Sequence, residues 1–330
     1  MATYNGERFL SEQLQSLSQQ TRLPDELVIT DDGSCDGTLA ILEAFATTSP
    51  FPVRIHRNPW QLGYGDNFLR AASLCQSDLI AFADQDDVWM PNKIARCMPF
   101  FADREVLLSM HAGMVVDEGL NPLGYQHPRI RCTRVVLDRT LYRRALPGFA
   151  MIIRKDLPGL FQTPRAPNLS NSKPMPHDTW AGLLASTFGK AAFIQEALVY
   201  YRRHQTTTTT LSSFSTLQQI EMAKLTTADS YSKSAQWAAE LITSLNQIQL
   251  NSEREQHLRQ IAVHGLDRHR QALEQRTQLY GRDKGFLPKL RLFLNLISRG
   301  HYGDPQEGNL GWKSLLKDSA HIVQLASPLG

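Results

Sequence analysis

The chain predicts an α/β fold, with a mostly parallel central sheet flanked by helices over residues 1–210 and a helical extension over 211–330. Three observations carry this reading. In the first half, short apolar runs alternate with helical stripes, the pattern of βαβ units. One apolar run, Leu79-Ile80-Ala81-Phe82-Ala83, ends in a cluster of carboxylates. Such a strand end is where an open α/β sheet binds its ligand. After five consecutive threonines at 206–210, Gln, Ala, Leu, Glu and Arg dominate and the remaining chain reads as helical from about 212.

The elements follow in order. Residues 7–19 form a helix with Leu10, Leu14 and Leu17 on one stripe. Glu26 to Thr30 is a short strand that ends in Asp31-Asp32-Gly33-Ser34, and Asp36 caps the helix carrying Leu39, Leu42 and Phe45. Val53 to His56 is a strand, 58–65 a loop rich in Asn, Pro and Gly, 66–76 a helix and 79–83 a buried strand. Strand-like runs follow at 106–110, 113–116 and 149–153. A proline-rich polar loop spans about 162–176, a helix starts near His177 or Asp178, and Ala192 to Tyr201 is strand-like. Near the end, Phe286, Leu287, Leu290, Phe293, Leu294 and Ile297 share one helical stripe flanked by Lys284, Lys289, Arg291 and Arg299. That stripe suits an anionic membrane surface, the rest of the chain, or a second subunit in a homodimer, and the sequence leaves these open.

Composition bounds the function. With 330 residues, 42 % hydrophobic and 20 % charged, the chain is globular, and a net charge of +3 gives no reason to expect nucleic acid. Cys35, Cys75, Cys97 and Cys132 form no C-x-x-C pair and read as reduced thiols. No apolar stretch reaches membrane-spanning length and no signal-peptide pattern is visible, so the expected location is cytoplasmic, with peripheral contact through 286–299 at the inner membrane face as an added option. Asn168-Leu169-Ser170 matches a glycosylation sequon that carries little weight without a secretion signal.

The most informative stretch is Asp84-Gln85-Asp86-Asp87-Val88-Trp89-Met90-Pro91-Asn92-Lys93. Carboxylates at a sheet edge, together with substrate phosphates, suit Mg²⁺ or Mn²⁺, because hard cations take oxygen ligands. A solvated acidic turn before a helix is the plainer reading of the same residues.

Four segments together, Ala2-Thr3-Tyr4-Asn5-Gly6, Asp31-Asp32-Gly33-Ser34, Asp84-Gln85-Asp86-Asp87-Val88-Trp89 and His177-Asp178-Thr179-Trp180, resemble family 2 glycosyltransferases of the GT-A fold. The Asp-Gln-Asp-Asp-Val-Trp-x-Pro-x-Lys form resembles the rhamnosyltransferase branch in particular, and the likeness covers residues 1 to about 205. It implies a Rossmann-like sheet and inverting transfer of a sugar, rhamnose from dTDP-rhamnose or a sugar from a UDP donor, onto a growing bacterial surface polysaccharide or lipid-linked glycan. The resemblance puts Thr3, Tyr4, Asp32, Asn67, Asp84, Gly148 and Arg202 at the nucleotide sugar, with Arg203 as a further diphosphate contact. It puts Asp84, Asp86 and His204 on the metal, with Asp87 capping the turn, and makes Asp178 the catalytic base beside His177. Pro147-Gly148-Phe149 corresponds to a loop over the donor sugar. Trp89 and Trp180 either face sugar rings or pack.

One departure stands out. The family begins with an apolar strand ahead of Ala-Thr-Tyr-Asn-Gly, whereas this sequence starts at Met1, which leads us to expect a truncated or misassigned start. The chain also lacks the Q-x-x-R-W signature of processive synthases, which favours single additions. Three other classes compete: a non-catalytic nucleotide-sugar-binding scaffold, a phosphohydrolase built on Asp36-Gly37-Thr38, and a sugar nucleotidyltransferase. The phosphohydrolase would need an Asp where Ser34 stands, and the nucleotidyltransferase a glycine-rich basic start that Asn5-Gly6-Glu7-Arg8 does not provide.

Overall fold

The structure, a computed structural model, describes residues 1–143, 146–161, 164–167, 173–204, 226–281 and 283–326. The threonine run, the sequon and much of the 162–176 loop lie outside them. The chain divides into two compact units: Met1–Thr163 with Met175–Thr208, and Pro164–Pro174 with Thr209–Gly330.

The first unit holds two sheets. In one, β1 (Ala2–Thr3), β2 (Leu27–Asp31) and β3 (Val53–Arg57) run parallel, with Ala2 opposite Thr30 and Val28 opposite Arg54. Between them, α1 (Glu7–Ser18) buries Leu10, Leu14 and Leu17, each worth about 1.5–3 kcal/mol of transfer free energy. The Asp36 carboxylate accepts from the Thr38 amide at 3.0 Å and from the Glu7 amide at 3.1 Å. It thereby joins the starts of α1 and of α2 (Thr38–Thr48). Helix α3 (Tyr64–Leu74) closes the third turn of alternation and buries Phe68, Ala71 and Ala72.

The second sheet has seven strands, ordered β4 (Leu79–Ala81), β9 (Met151–Arg154), β6 (Val106–Val116), β10 (Lys190–Arg202) and β5 (Val88–Trp89), with β7 (Pro122–His127) on β6 and β8 (Arg134–Val136) on β10. Here the expectation of mostly parallel pairing needs correction. Only β6 and β10 run parallel in this sheet; the other pairs are antiparallel. The reason is connectivity. After α4 (Lys93–Cys97) the chain turns tightly at Asp117–Asn121 with no crossover helix, and a parallel pair needs a crossover. The runs at 106–110 and 113–116 are one strand of 11 residues, continuous through the fully buried His111. Its Nδ1 lies 2.8 Å from the Ala112 carbonyl oxygen. Strand β7 escapes sequence reading because five of its six residues are exposed and show no alternation. Helix α5 (His177–Phe188) packs against β6 and starts where expected.

Strand β1 is only two residues long, and the buried Met1 amine donates to the Val28 carbonyl at 2.8 Å. Beside it lies a cavity of about 490 Å³, lined by Val28 of β2, Ile80 of β4, Phe68 and Ala72 of α3, and Ile94. Strand β4 pairs only with β9. The space is flanked by strands of both sheets and has a mixed lining, with Asp25, Glu26 and Asp78 beside the apolar side chains.

In the second unit, α6 (Ala228–Gln247) and α7 (Glu253–Tyr280) pack along each other, followed by α8 (Phe286–Ser298) and α9 (Trp312–Ala326). Ser252 and Glu255 form a reciprocal capping box at the start of α7. The buried Asp318 of α9 accepts from Arg276 at 2.8 Å, from Tyr280 at 2.8 Å and from Tyr302 at 2.7 Å. This one carboxylate ties α7 and the α8–α9 connection to α9. Cys35 and Cys132 are exposed, Cys75 is half-buried and Cys97 is buried.

Filling the cavity is expected to stabilise the first unit. A Val/Ile-rich extension of about five residues ahead of Met1 should raise the melting temperature by several degrees, roughly 1–2 kcal/mol net. A Gly/Ser extension of equal length should not, and thermal melts of the two proteins check this.

Candidate active site

The site gathers at the ends of β1, β2 and β10, the turn after β4, and the start of α5. Gln85 closes it on one side. Its side-chain amide accepts from the Tyr4 amide at 2.9 Å and donates to the Tyr4 carbonyl at 3.0 Å. A Cβ at position 6 would lie 2.4 Å from Gln85 Oε1, so any larger residue there would displace the Gln85 side chain. The Tyr4 ring is left 46 % exposed, free to stack on a planar base.

Thr3 is buried; its hydroxyl donates to Asp31 at 2.9 Å and its carbonyl accepts from the Asp32 amide at 2.9 Å. Asp31, not singled out in the sequence, also accepts from the Gly33 and Ser34 amides and holds the turn after β2. Asp32 faces the 58–63 loop. Its carboxylate accepts from Asn58 Nδ2 at 2.8 Å and from the amides of Leu62 and Gly63 at 2.7 and 2.8 Å. Asn67 is buried, accepts from Asn58 at 2.9 Å and donates to the Thr3 carbonyl at 3.3 Å. Thr3, Asp32 and Asn67 thus form one network under Tyr4. Thr3, Asp32 and Asn67 are all buried, and their side chains are engaged within the protein.

The carboxylate turn is held from below. Gln13 donates to the Asp84 carbonyl at 2.8 Å. Asp87 is fully buried, with Oδ1 accepting from the Arg202 amide at 3.0 Å. Burial first, then the charges of Asp86 and Asp84, push the Asp87 carboxyl well above the usual range. The expected role as a turn cap becomes an anchor to β10. Burial, then Asp86 and Asp178, push Asp84 up to about 7. Asp86 meets His204, Oδ2 to Nε2, at 2.8 Å. The His204 ring lies 4.9 Å from that of Phe9.

Arg202 departs from the expectation of a diphosphate contact. It is 1 % exposed, and each guanidinium nitrogen is bonded within the protein. Nε donates to the Asp86 carbonyl at 2.8 Å, Nη1 to the Glu118 carbonyl and Nη2 to Glu12 of α1. The guanidinium also lies over the Phe9 ring at 4.5 Å. It is a positioning residue for the turn. Arg203 donates to the Tyr201 hydroxyl at 2.9 Å.

Asp178 opens α5. Its Oδ1 accepts from the Thr179 amide at 2.6 Å. Burial pushes it up to about 6 against the opposing hydrogen bonds from Thr179 and the Gly148 amide. Asp178 and Asp84 are close enough for the charge of one to raise the pKa of the other. Gly148 is required by His177, because a Cβ there would lie 2.5 Å from His177 Nε2. That imidazole stacks on Phe68 at 4.2 Å and stands edge-on to Phe82 at 4.6 Å. His177 is thus a buried wedge behind the 147–149 turn. Trp180 and Trp89 pack: Trp180 donates to the Gly159 carbonyl at 3.2 Å, and the Trp89 ring lies 3.5 Å under Lys93 Nζ.

Lys93 is the residue that sequence reading missed. It is fully buried and donates to the Phe149 carbonyl at 2.7 Å, tying the carboxylate segment to the Gly148 turn. Burial pushes its ammonium down to about 7. Its motif position gave the one available signal, a lysine in an otherwise apolar helix start.

A divalent cation suits part of this arrangement. Among the described residues no three His, Cys, Asp or Glu side chains stand together as a ligand set. The expected trio of Asp84, Asp86 and His204 is narrowed to the Asp86–His204 pair in contact. Two protein ligands suffice for a hard cation that takes its remaining positions from phosphate oxygens and water. Asp84 is raised first by burial and then by the charges of Asp86 and Asp178, and a cation would offset the second of these causes.

The family model described as Glycosyl transferase family 2 matches residues 1–161. Those residues are a family 2 glycosyltransferase domain. Over 98 residues the chain is 41 % identical to the dTDP-rhamnosyl transferase RfbG of Shigella flexneri, covering 28 % of this chain and 34 % of that protein. It is 26 % identical over 213 residues to the uncharacterized glycosyltransferase alr2836 of Nostoc, covering 62 % and 63 % of the two chains. The chain therefore spans about a third to under two thirds of these relatives. Among solved structures, S. aureus TarS 1-349 in complex with UDP-GlcNAc superposes with a TM-score of 0.55 at 18 % identity, over 98 % of this chain and 87 % of that one. The fold is thus GT-A, in its mixed-sheet form.

Two substitutions test the positioning roles. Arg202→Lys keeps the charge but loses the planar fork, so it should cost roughly 2–4 kcal/mol in denaturant unfolding. Gly148→Ala should cost about 1–3 kcal/mol by collision with His177.

Proposed function

We propose that this chain transfers one sugar at a time from a nucleotide diphosphate donor to a hydroxyl of a growing bacterial surface polysaccharide or lipid-linked glycan, with inversion at the anomeric carbon. The observation that carries the reading is Asp178, half-buried at a helix start within electrostatic reach of Asp84 and raised to about 6. A carboxylate of that pKa is unprotonated at neutral pH yet basic enough to accept a proton from a hydroxyl under attack.

In the reaction, the acceptor oxygen bonds to the anomeric carbon as the bond from that carbon to the phosphate oxygen breaks. The hydroxyl proton passes to Asp178, and the bonding pair leaves with the nucleoside diphosphate. Tyr4 stacks on the base, and the Asp32–Asn58–Asn67 network fixes the wall beside it. Mg²⁺ or Mn²⁺ held by Asp86 and His204, with Asp84 beside them, would neutralise charge on the diphosphate. Lys93 and His177 keep the Gly148 turn, and through its amide Asp178, in place.

The donor we favour is dTDP-rhamnose, supported by the 41 % identity to a protein named dTDP-rhamnosyl transferase. A UDP-sugar is the second reading, supported by the shared fold of the TarS–UDP-GlcNAc complex.

Calorimetric titration of dTDP-rhamnose and UDP-GlcNAc, with and without Mn²⁺, tests the class. One donor should bind only with the metal, and Asp86→Ala should weaken it at least tenfold; metal-independent binding that survives Asp86→Ala would refute the metal assignment. Asp178→Asn should lower kcat by about 10²–10⁴ while leaving donor affinity within about twofold. Because Asp178 must be unprotonated, kcat/KM should rise with pH through about 6 and then level. Full turnover by Asp178→Asn, or a profile flat across that range, would remove Asp178 from the base role.

A further inference from the structure

The second unit leaves two helices with a face that nothing in the described residues covers. Both are amphipathic in an unusual sense. Helix α8 packs Phe293 and Leu296 inward, and α9 packs Ile322, into a cluster with Ala272 and Leu279 of α7. On the other side, α8 exposes Leu287 at 73 %, Leu294 at 54 % and Ile297 at 44 %. Helix α9 exposes Trp312 at 65 %, Leu316 at 60 % and Val323 at 67 %, spaced by four and seven residues along one stripe. The sequence stripe at 286–297 pointed to α8 alone; α9 carries a second exposed apolar stripe.

Within the helices the exposed charges are cationic, with Asp283 exposed ahead of α8 and Asp304 and Glu307 exposed in the α8–α9 connection. No carboxylate occurs on α8, and the one on α9, Asp318, is fully buried and bonded to Arg276, Tyr280 and Tyr302. What the helices present outward is Arg291 and Lys313 among the apolar side chains, with Lys284 and Arg299 exposed at the two ends of α8. A second copy docking through this same face would set cations against cations across the contact, which is unfavourable. An anionic bilayer accepts both components. Leucines and a tryptophan enter the headgroup–acyl boundary while Lys and Arg stay among phosphates. With 13 and 15 residues, α8 and α9 are too short to span a bilayer, and no described helix is long and apolar enough to do so.

We propose that α8 and α9 together form an in-plane docking surface for an anionic lipid bilayer. The surface lies outside the donor site, so lipid binding and transfer are read by separate assays.

The full chain is tested by co-sedimentation with phosphatidylglycerol/phosphatidylcholine vesicles and with pure phosphatidylcholine vesicles, at low and high salt, with light scattering for mass. The expected result is binding to the anionic vesicles at least tenfold tighter than to the neutral ones, weakened by salt. The paired variants Leu287→Gln/Leu294→Gln and Trp312→Gln/Leu316→Gln should each lower it at least tenfold with an unchanged melting temperature. Arg291→Glu/Lys313→Glu should abolish the preference for anionic lipid. Absent binding, equal binding to both vesicles, or a dimer that the paired glutamine variants dissociate would overturn the proposal, the last in favour of a second copy as the occupant.

Discussion

A single buried guanidinium holds the candidate site in register. Arg202 ends β10 and reaches α1 through Glu12, the carboxylate turn through the Asp86 carbonyl, and the turn after β6 through the Glu118 carbonyl. Its own amide is taken by Asp87. The residue two places on, His204, is thereby delivered to Asp86. A lysine could satisfy one of these directions, not three at fixed angles. The cost of burying the charge is offset by this full set of acceptors and by the Phe9 face.

Much of the site was legible in the sequence because its chemistry lies in short, contiguous motifs. Asp84, Asp86, Asp178 and Gly148 sit at strand ends or helix starts, where local pattern alone sets direction. The roles of Arg202, Lys93 and Gln85 were not legible. Their partners lie 56 to 190 residues away along the chain, and no local pattern encodes such distances. Arg202 looked like a phosphate ligand because arginine is suited to phosphate recognition; its burial is a tertiary fact.

The fold shows the same division. Elements with a buried stripe, such as α1, were read nearly to the residue. Pairing direction in the second sheet was not, because the switch from crossover helices to tight turns after Val116 has no signature in hydrophobic period. Tyr4 follows β1 and is attached on two sides, by the β1–β2 backbone pairs and by the Gln85 side chain.

That attachment has a consequence for changing what the protein selects. Gln85 lies between Asp84 and Asp86 and grips both polar atoms of the Tyr4 peptide unit. The segment proposed to meet the base and the segment proposed to meet the diphosphate are therefore tied together by two hydrogen bonds. On that proposal, base preference and cation affinity are not separable modules. A redesign aimed at a different nucleotide by replacing residues 3–6 alone would retune the acidic turn as well. Grafting both segments together, with Gly6 and Gln85 as a matched pair, is the smallest exchange that leaves their mutual geometry intact.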